Sequence, residues 1–425
     1  MLDRIITYSF YLLFFLTPLF WTSLNFELFE YNKMILVYTL TVIITGAWIL
    51  KIINHKSASP AGRSLMFNRT PLDVPLILFL GANILSTIFS IDQHVSIWGY
   101  YSRSNGGLLS TFSYILLYFA FVSNISKDQV FKILKIGLFA GFIISMWGIL
   151  EHFGVSPSCV ILRGEFNASC WIQDVQARVF ATLGQPNWLA AYLAMLIFPA
   201  LYFFLTAASR KLFITYYLLL ITFYLAFTFT YSRGATLGLI AGIFVFIGFQ
   251  IVNLHPKGVN LDFIKLKPNL IVLAGFLIIN LFFGSAITRF NISQLLPASS
   301  SSSSINQPSP TITQLEFGGT ESGQIRLIVW QGALDIFKHY PIFGSGVETF
   351  AYAYYQFRPV SHNLTSEWDF LYNKAHNEFL NYLATTGIVG LSTYIIIVIT
   401  FITVILRKQN LFSISLLSAY ISYLV

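Results

Sequence analysis

Residues 326–346 read R-L-I-V-W-Q-G-A-L-D-I-F-K-H-Y-P-I-F-G-S-G. They stand inside one long polar interruption, about residues 289–383, of a chain that otherwise runs from one apolar segment to the next. Arg326 opens an amphipathic helix that should stop at Pro341, because proline cannot continue a helical ladder. Working outward, the segment continues to K-A-H-N-E-F-L at 374–380, where His376 stands just before the chain turns apolar again. Upstream, Arg233 in Y-S-R-G-A separates two apolar runs with almost no loop around it.

Composition rules out a soluble enzyme. Hydrophobic residues are 56% of the 425 and charged residues only 10%, with a mean hydropathy of +0.70. Those values describe a polytopic membrane protein. The net charge of +8 needs no nucleic acid partner, since Lys and Arg gather in cytoplasmic loops and no basic stripe with interleaved aromatics occurs. The start, M-L-D-R before an apolar run with no small-residue cleavage site, reads as a retained first span.

Runs long enough to cross a bilayer, about 17 to 25 residues each, fall at 6–24, 34–53, 72–90, 107–123, 130–150, 188–206, 212–231, 234–252, 269–287 and 384–406. An eleventh begins near Leu411 and is still running at Val425, so the sequence is read as stopping short of the whole protein. The expected fold is an all-α polytopic membrane protein of about 11–12 transmembrane helices. Residues 1–287 form the first transmembrane region, 288–383 a long extracytoplasmic loop between the ninth and tenth spans, and 384–425 the C-terminal spans. With the N-terminus inside, cytoplasmic segments hold 15 of the 25 basic residues and 4 of the 17 acidic ones. That bias fixes the expected orientation. The chain is then a multi-pass protein of the cytoplasmic (inner) membrane.

The long loop begins with P-A-S-S-S-S-S-S-I-N-Q-P-S-P, and 297–320 is expected to be a flexible tract with too little apolar surface to order itself. An earlier external loop, about 151–187, carries both cysteines, Cys159 and Cys170, at a spacing that permits a disulfide. The cytoplasmic loops hold no phosphate loop, no G-x-G-x-x-G and no carboxylate cluster, so chemistry driven by cytoplasmic nucleotide has no place to sit.

Three residues carry the expected chemistry. Arg233 is flanked by Ser232, Gly234 and Ala235, which leave room beside its guanidinium. Arg326 is expected on a helix whose stripe Leu327, Trp330, Leu334 and Phe337 packs on the membrane-embedded body. Its bland alternative is a surface ion pair with Glu321. His376 can take and return a proton near neutrality. His339, His362 and His376 match no compact metal spacing, so no metal and no cofactor are expected. Two arginine forks suit a leaving diphosphate and a histidine suits an attacking hydroxyl. Tyr352, Tyr354 and Tyr355 could offer stacking surface to sugars or form an interfacial belt.

The run from Arg326 to Tyr394, with A-H-N-E-F-L-N-Y-L-A-T-T-G-I-V-G-L from Ala375, resembles the core of the O-antigen ligase and polymerase superfamily. S-R-G-A at 232–235 and G-Q-P-N-W-L-A-A-Y-L at 184–193 resemble it too. The resemblance implies a metal-independent glycosyltransferase that takes a glycan from an undecaprenyl-diphosphate carrier outside the cytoplasmic membrane. It implies Arg233 and Arg326 as diphosphate ligands and His376 as general base, with a glycan, lipid or protein hydroxyl as acceptor. Ligation, polymerisation of carrier-linked repeats and O-linked protein glycosylation stay open. A solute transporter is a distant alternative, because no pair of Gly/Pro-interrupted spans repeats in corresponding halves.

Overall fold

Each apolar run of the sequence becomes a helix, because in lipid only a helix satisfies its own backbone within one segment. The structure is a computed structural model, and it describes residues 1–56, 68–254, 263–287, 320 and 322–424. Among the described residues all regular structure is helical. Seven helices are long and apolar enough to span a membrane: Leu2–Leu19, Glu30–Asn54, Lys127–His152, Pro186–Leu205, Arg210–Thr228, Arg233–Val252 and Glu378–Lys408. Four more apolar helices, Asp73–Ile88, Leu108–Asn124, Lys267–Phe283 and Leu411–Leu424, are 10–17 residues long among the described residues. Asp73–Ile88 has 16 residues, about 24 Å at 1.5 Å each. Its end is spent on polar contacts: Ser86 donates to the Thr385 carbonyl at 3.0 Å. This is a multi-pass all-α membrane protein. Apart from Thr320, the serine-rich tract at 297–320 lies outside the described residues, as does Glu321.

The described chain gathers into two compact units. The first comprises Met1–Asn54, Asn124–Ala298 and Ile402–Val425. Here Gly238 and Gly242 let the helix Arg233–Leu254 lie directly on Leu411–Leu424. A Cβ at Gly238 would stand 2.2 Å from the Ser422 carbonyl oxygen, and one at Gly242 would stand 2.7 Å from that of Ser418. Close backbone approach through small residues is how membrane helices gain dispersion energy that lipid does not offer. At the end of Lys127–His152, the fully buried Glu151 accepts the backbone N–H of Ala181 at 2.8 Å and of Phe180 at 3.3 Å, and the Ser156 hydroxyl at 3.2 Å. Those donors hold the segment before Pro186 against the helix end. Above it, Cys159 and Cys170 are bridged, with Cα atoms 5.4 Å apart, and the closed loop contributes about 3 kcal/mol by restricting the unfolded chain.

The second unit comprises His55–Ser123 and Ser299–Phe401. Its core joins Ile325, Val329, Ala333 and Ile336 of the helix Ser322–His339 to Phe350, Ala353 and Tyr354 of the helix Phe350–Phe357, with Tyr372, Ala375 and Ala384. The last long helix, Glu378–Lys408, is broken at Gly387, where φ is 65°. The segment after His339 fills that break. Ile388 donates to the Pro341 carbonyl at 3.0 Å, while Ser345 and Gly346 donate to the carbonyls of Ala384 and Thr385 at 3.0 and 2.9 Å. These exchanged bonds fix the lead-in 378–386 beside residues 341–346.

Candidate active site

Arg233 is the first residue of its helix, and the chain before it turns in four residues, Phe229–Ser232. The turn is tight enough to push Tyr231 to φ 46°, a left-handed conformation costly for a side chain with a Cβ. It persists because its polar groups are met: Thr230 donates to the Phe227 carbonyl at 2.7 Å and Tyr231 to that of Phe283 at 3.1 Å. Arg233 and Gly234 are exposed, and nothing lies within 4 Å of where a Gly234 Cβ would stand. The surface beside Gly234 is open.

Arg326 lies in the second unit, exposed near the start of Ser322–His339. The packed face of that helix is not the expected one. Ile325, Val329, Ala333 and Ile336 are buried, whereas Leu327 is 62% and Leu334 37% exposed. The reason is steric. Gly332 admits the Tyr354 ring to within 2.5 Å of its Cβ position, so the short helix Phe350–Phe357 settles on the stripe with the smallest residues. Trp330 flanks that face and donates its indole N–H to the Ala375 carbonyl at 3.0 Å.

That bond links Arg326 to His376. Arg326 and Trp330 are one turn apart on the same side of the helix, and Ala375 immediately precedes the histidine. The Ala375 N–H is bound as well, to the Asn381 side chain at 3.3 Å, and Asn377 caps the helix by accepting from Leu380 at 3.1 Å. Between these anchors His376 itself stands at φ 53°. Tyr372 meets its ring edge to face at 5.2 Å between centroids. Crowding by surrounding protein, then the Arg326 cation and Lys374, hold the imidazole below its ordinary pKa, while Glu367 opposes them. Arg326 and His376 therefore share one neighbourhood in the second unit, and Arg233 belongs to the first.

The other histidines do other things. His362 is fully buried and shares a 2.6 Å hydrogen bond with the Tyr354 hydroxyl. His339 packs on Tyr340 and Phe357. Tyr354 is also fully buried, so it presents no stacking surface: its place on the helix turns it into the core, and His362 satisfies its hydroxyl. Tyr352 and Tyr355 remain exposed, at 39% and 76%. Among the described residues no three His, Cys, Asp or Glu side chains stand close enough to hold a metal.

Residues 217–395 match the protein family described as O-antigen ligase. The chain carries a domain of the O-antigen ligase superfamily. The matched residues include Arg233, Arg326 and His376. No curated protein matches the chain.

Two positions escape sequence reasoning. Glu348, at φ 59°, is the only charged residue in 341–357. Its side chain is 9% exposed and pairs with Lys374 at 3.4 Å, two residues before His376. Burial raises the carboxyl pKa and Lys374 counters it. An acidic residue inside so apolar a run was the available signal, but its partner is not visible locally. In the first unit, Arg178 donates from Nε to the Thr230 carbonyl at 3.0 Å and from Nη2 to Asn187 at 3.1 Å. Val179 adds a backbone bond to Phe229 at 3.2 Å. Arg178 thus clamps the turn before Arg233 to the start of Pro186–Leu205.

Proposed function

We propose that the protein moves a glycan from an undecaprenyl-diphosphate carrier to an acceptor hydroxyl outside the cytoplasmic membrane, with inversion and without a metal. Arg233 and Arg326 hold the diphosphate, whose paired anionic oxygens suit planar guanidinium forks and whose charge grows as it leaves. His376 accepts the proton of the attacking hydroxyl. The hydroxyl oxygen forms a bond to the anomeric carbon as the bond from that carbon to the diphosphate oxygen breaks. The electron pair departs on the diphosphate and the proton rests on the imidazole. A histidine kept below its ordinary pKa stays neutral, and so able to act as base, at the pH of the external face.

The observation that carries this reading is His376 itself. It stands in left-handed backbone between Ala375, which Trp330 and Asn381 both hold, and Asn377, which caps the following helix, within the field of Arg326. Such strain, over-determined by its surroundings, is a mark of a functional position. The acceptor is a glycan, lipid or protein hydroxyl, and all three use the same step. The test is the anomeric configuration of the product formed by protein in nanodiscs from a synthetic undecaprenyl-diphosphate glycan, with and without chelator. Inverted product in both cases is expected. Retained configuration would mean a covalent intermediate, and loss with chelator would mean a metal.

A further inference from the structure

The loop joining Asp73–Ile88 to Leu108–Asn124 belongs to the second unit and docks on the residues that precede Glu348. Ile91 donates to the Ser345 carbonyl at 2.9 Å and Ser96 to that of Val347 at 2.8 Å. Its tip, G-Y-Y-S-R-S-N-G-G from Gly99 to Gly107, is closed on itself. A Cβ at Gly107 would stand 2.4 Å from the Gly99 nitrogen, and one at Gly99 would stand 2.3 Å from the Asn105 oxygen. A Cβ at Gly106 would stand 2.4 Å from the Glu348 carboxylate, the group that pairs with Lys374 next to His376. Gly99 and Gly106 have φ of 86° and 85°, and Ser104 stands at 49°. Backbone this constrained presents its side chains with little ordering left to lose.

What it presents is Trp98, Tyr100, Tyr101 and Arg103. Tyr101 is 76% and Trp98 52% exposed. The Tyr100 and Tyr101 rings lie 4.8 Å apart. Tyr352 comes within electrostatic reach of Tyr101 and Asp92, and Arg103 within that of Glu348. Rigid phenols give broad amphipathic surface at low entropic cost, and here they are interleaved with a guanidinium and a carboxylate. A lipid-anchoring belt uses aromatics and cations but has no use for the carboxylate. A pyranose does: its C–H face stacks on a ring while its hydroxyls bond to charged forks at the edge.

We propose that Tyr100, Tyr101, Arg103 and Tyr352, with Asp92 at the edge, form a sugar-binding subsite beside the His376 segment. Its place in catalysis rests on the glycosyl-transfer reading, but its affinity for free sugar does not. The sugar comes from the donor glycan or from a glycan acceptor.

The test takes the full-length protein in nanodiscs with a panel of free pyranose oligosaccharides containing glucose, galactose or N-acetylhexosamine. Saturation-transfer NMR should show magnetisation reaching sugar C–H protons of at least one of them. Tyr101→Ala combined with Tyr352→Ala should weaken that binding about tenfold, the share expected of stacked rings. Tyr101→Trp should restore it, which separates stacking from misfolding. In transfer assays the double variant should raise KM about tenfold for donor or for acceptor, with kcat retained, and the affected substrate names the source. If free sugars bind and the variants respond while no transfer is seen, the subsite stands and the transfer reading falls. No transfer of magnetisation to any oligosaccharide, or equal binding by wild type and the double variant, overturns the proposal. A peptide acceptor whose KM alone rises would overturn it as well, since the surface would then be reading protein.

Discussion

The turn before Arg233 and the segment around His376 solve one problem by different means. Each sets a polar side chain beside left-handed backbone, at Tyr231 and at His376. At Arg233 the strain is held by a local bond from Thr230 to the Phe227 carbonyl, by Tyr231 reaching the Phe283 carbonyl, and by Arg178 as an outside clamp. At His376 it is held by near neighbours, Tyr372, Lys374 and Asn381, together with two residues far back in the chain, Trp330 and Glu348. A cation that binds a carrier needs only to be fixed at the membrane edge. A base must also be fixed in angle, so it draws on more supports.

If that contrast is right, the His376 segment should be the more fragile of the two. Glu348→Ala removes the buried carboxylate that pairs with Lys374. Removing one member of a buried pair costs about 3–5 kcal/mol, and because Lys374 is 37% exposed we expect about 2 kcal/mol. Transfer should fall more than tenfold with donor binding unchanged. A loss of donor binding equal to the loss of transfer would erase the distinction between the two regions.

Arg178→Ala asks the converse question of the other region. It frees the Thr230 carbonyl and Asn187, so Arg233 should lose its fixed position and donor-lipid binding should weaken about tenfold, as expected when a charged hydrogen-bonding group is removed. The pH response of His376 should stay put. An unchanged donor affinity would show that the turn holds itself.

The extent to which this was legible in sequence follows the same line. Spans are written in length and hydropathy, and the break at Arg233 interrupts two such runs, so both could be placed from the residues alone. The helix Ser322–His339 was legible, but not its face. The largest apolar residues suggested Leu327 and Leu334, while Gly332 and Ala333 decided the packing by admitting Tyr354. Tyr354 looked like its exposed neighbours until His362 was seen beside it. The loop 99–107 has no periodicity, and its form depends on contacts such as Ser96 with Val347, separated by 251 positions. Local pattern carries no trace of those.

A smaller effect sharpens the electrostatic side of the comparison. The neutral imidazole is the working base, so transfer should rise with pH through the His376 pKa. Desolvation by the surrounding protein and then Arg326 lower that value, so the acid limb lies on the acid side of an ordinary histidine. Arg326→Gln removes a repelling cation and should move the titration upward, read directly by NMR of labelled histidine. A downward shift or none would mean that Arg326 does not act on His376.

The most direct test of the central claim separates binding from transfer in His376→Ala. With purified protein in nanodiscs and a synthetic undecaprenyl-diphosphate glycan, donor binding should stay within about twofold of wild type while transfer falls by roughly a hundredfold or more, the usual share of a general base. Arg233→Lys should do the reverse, weakening donor binding because an ammonium lacks the two-pronged fork. Normal transfer by a folded His376→Ala protein would contradict the account and move the search for the base to the exposed carboxylates Glu378 and Asp369.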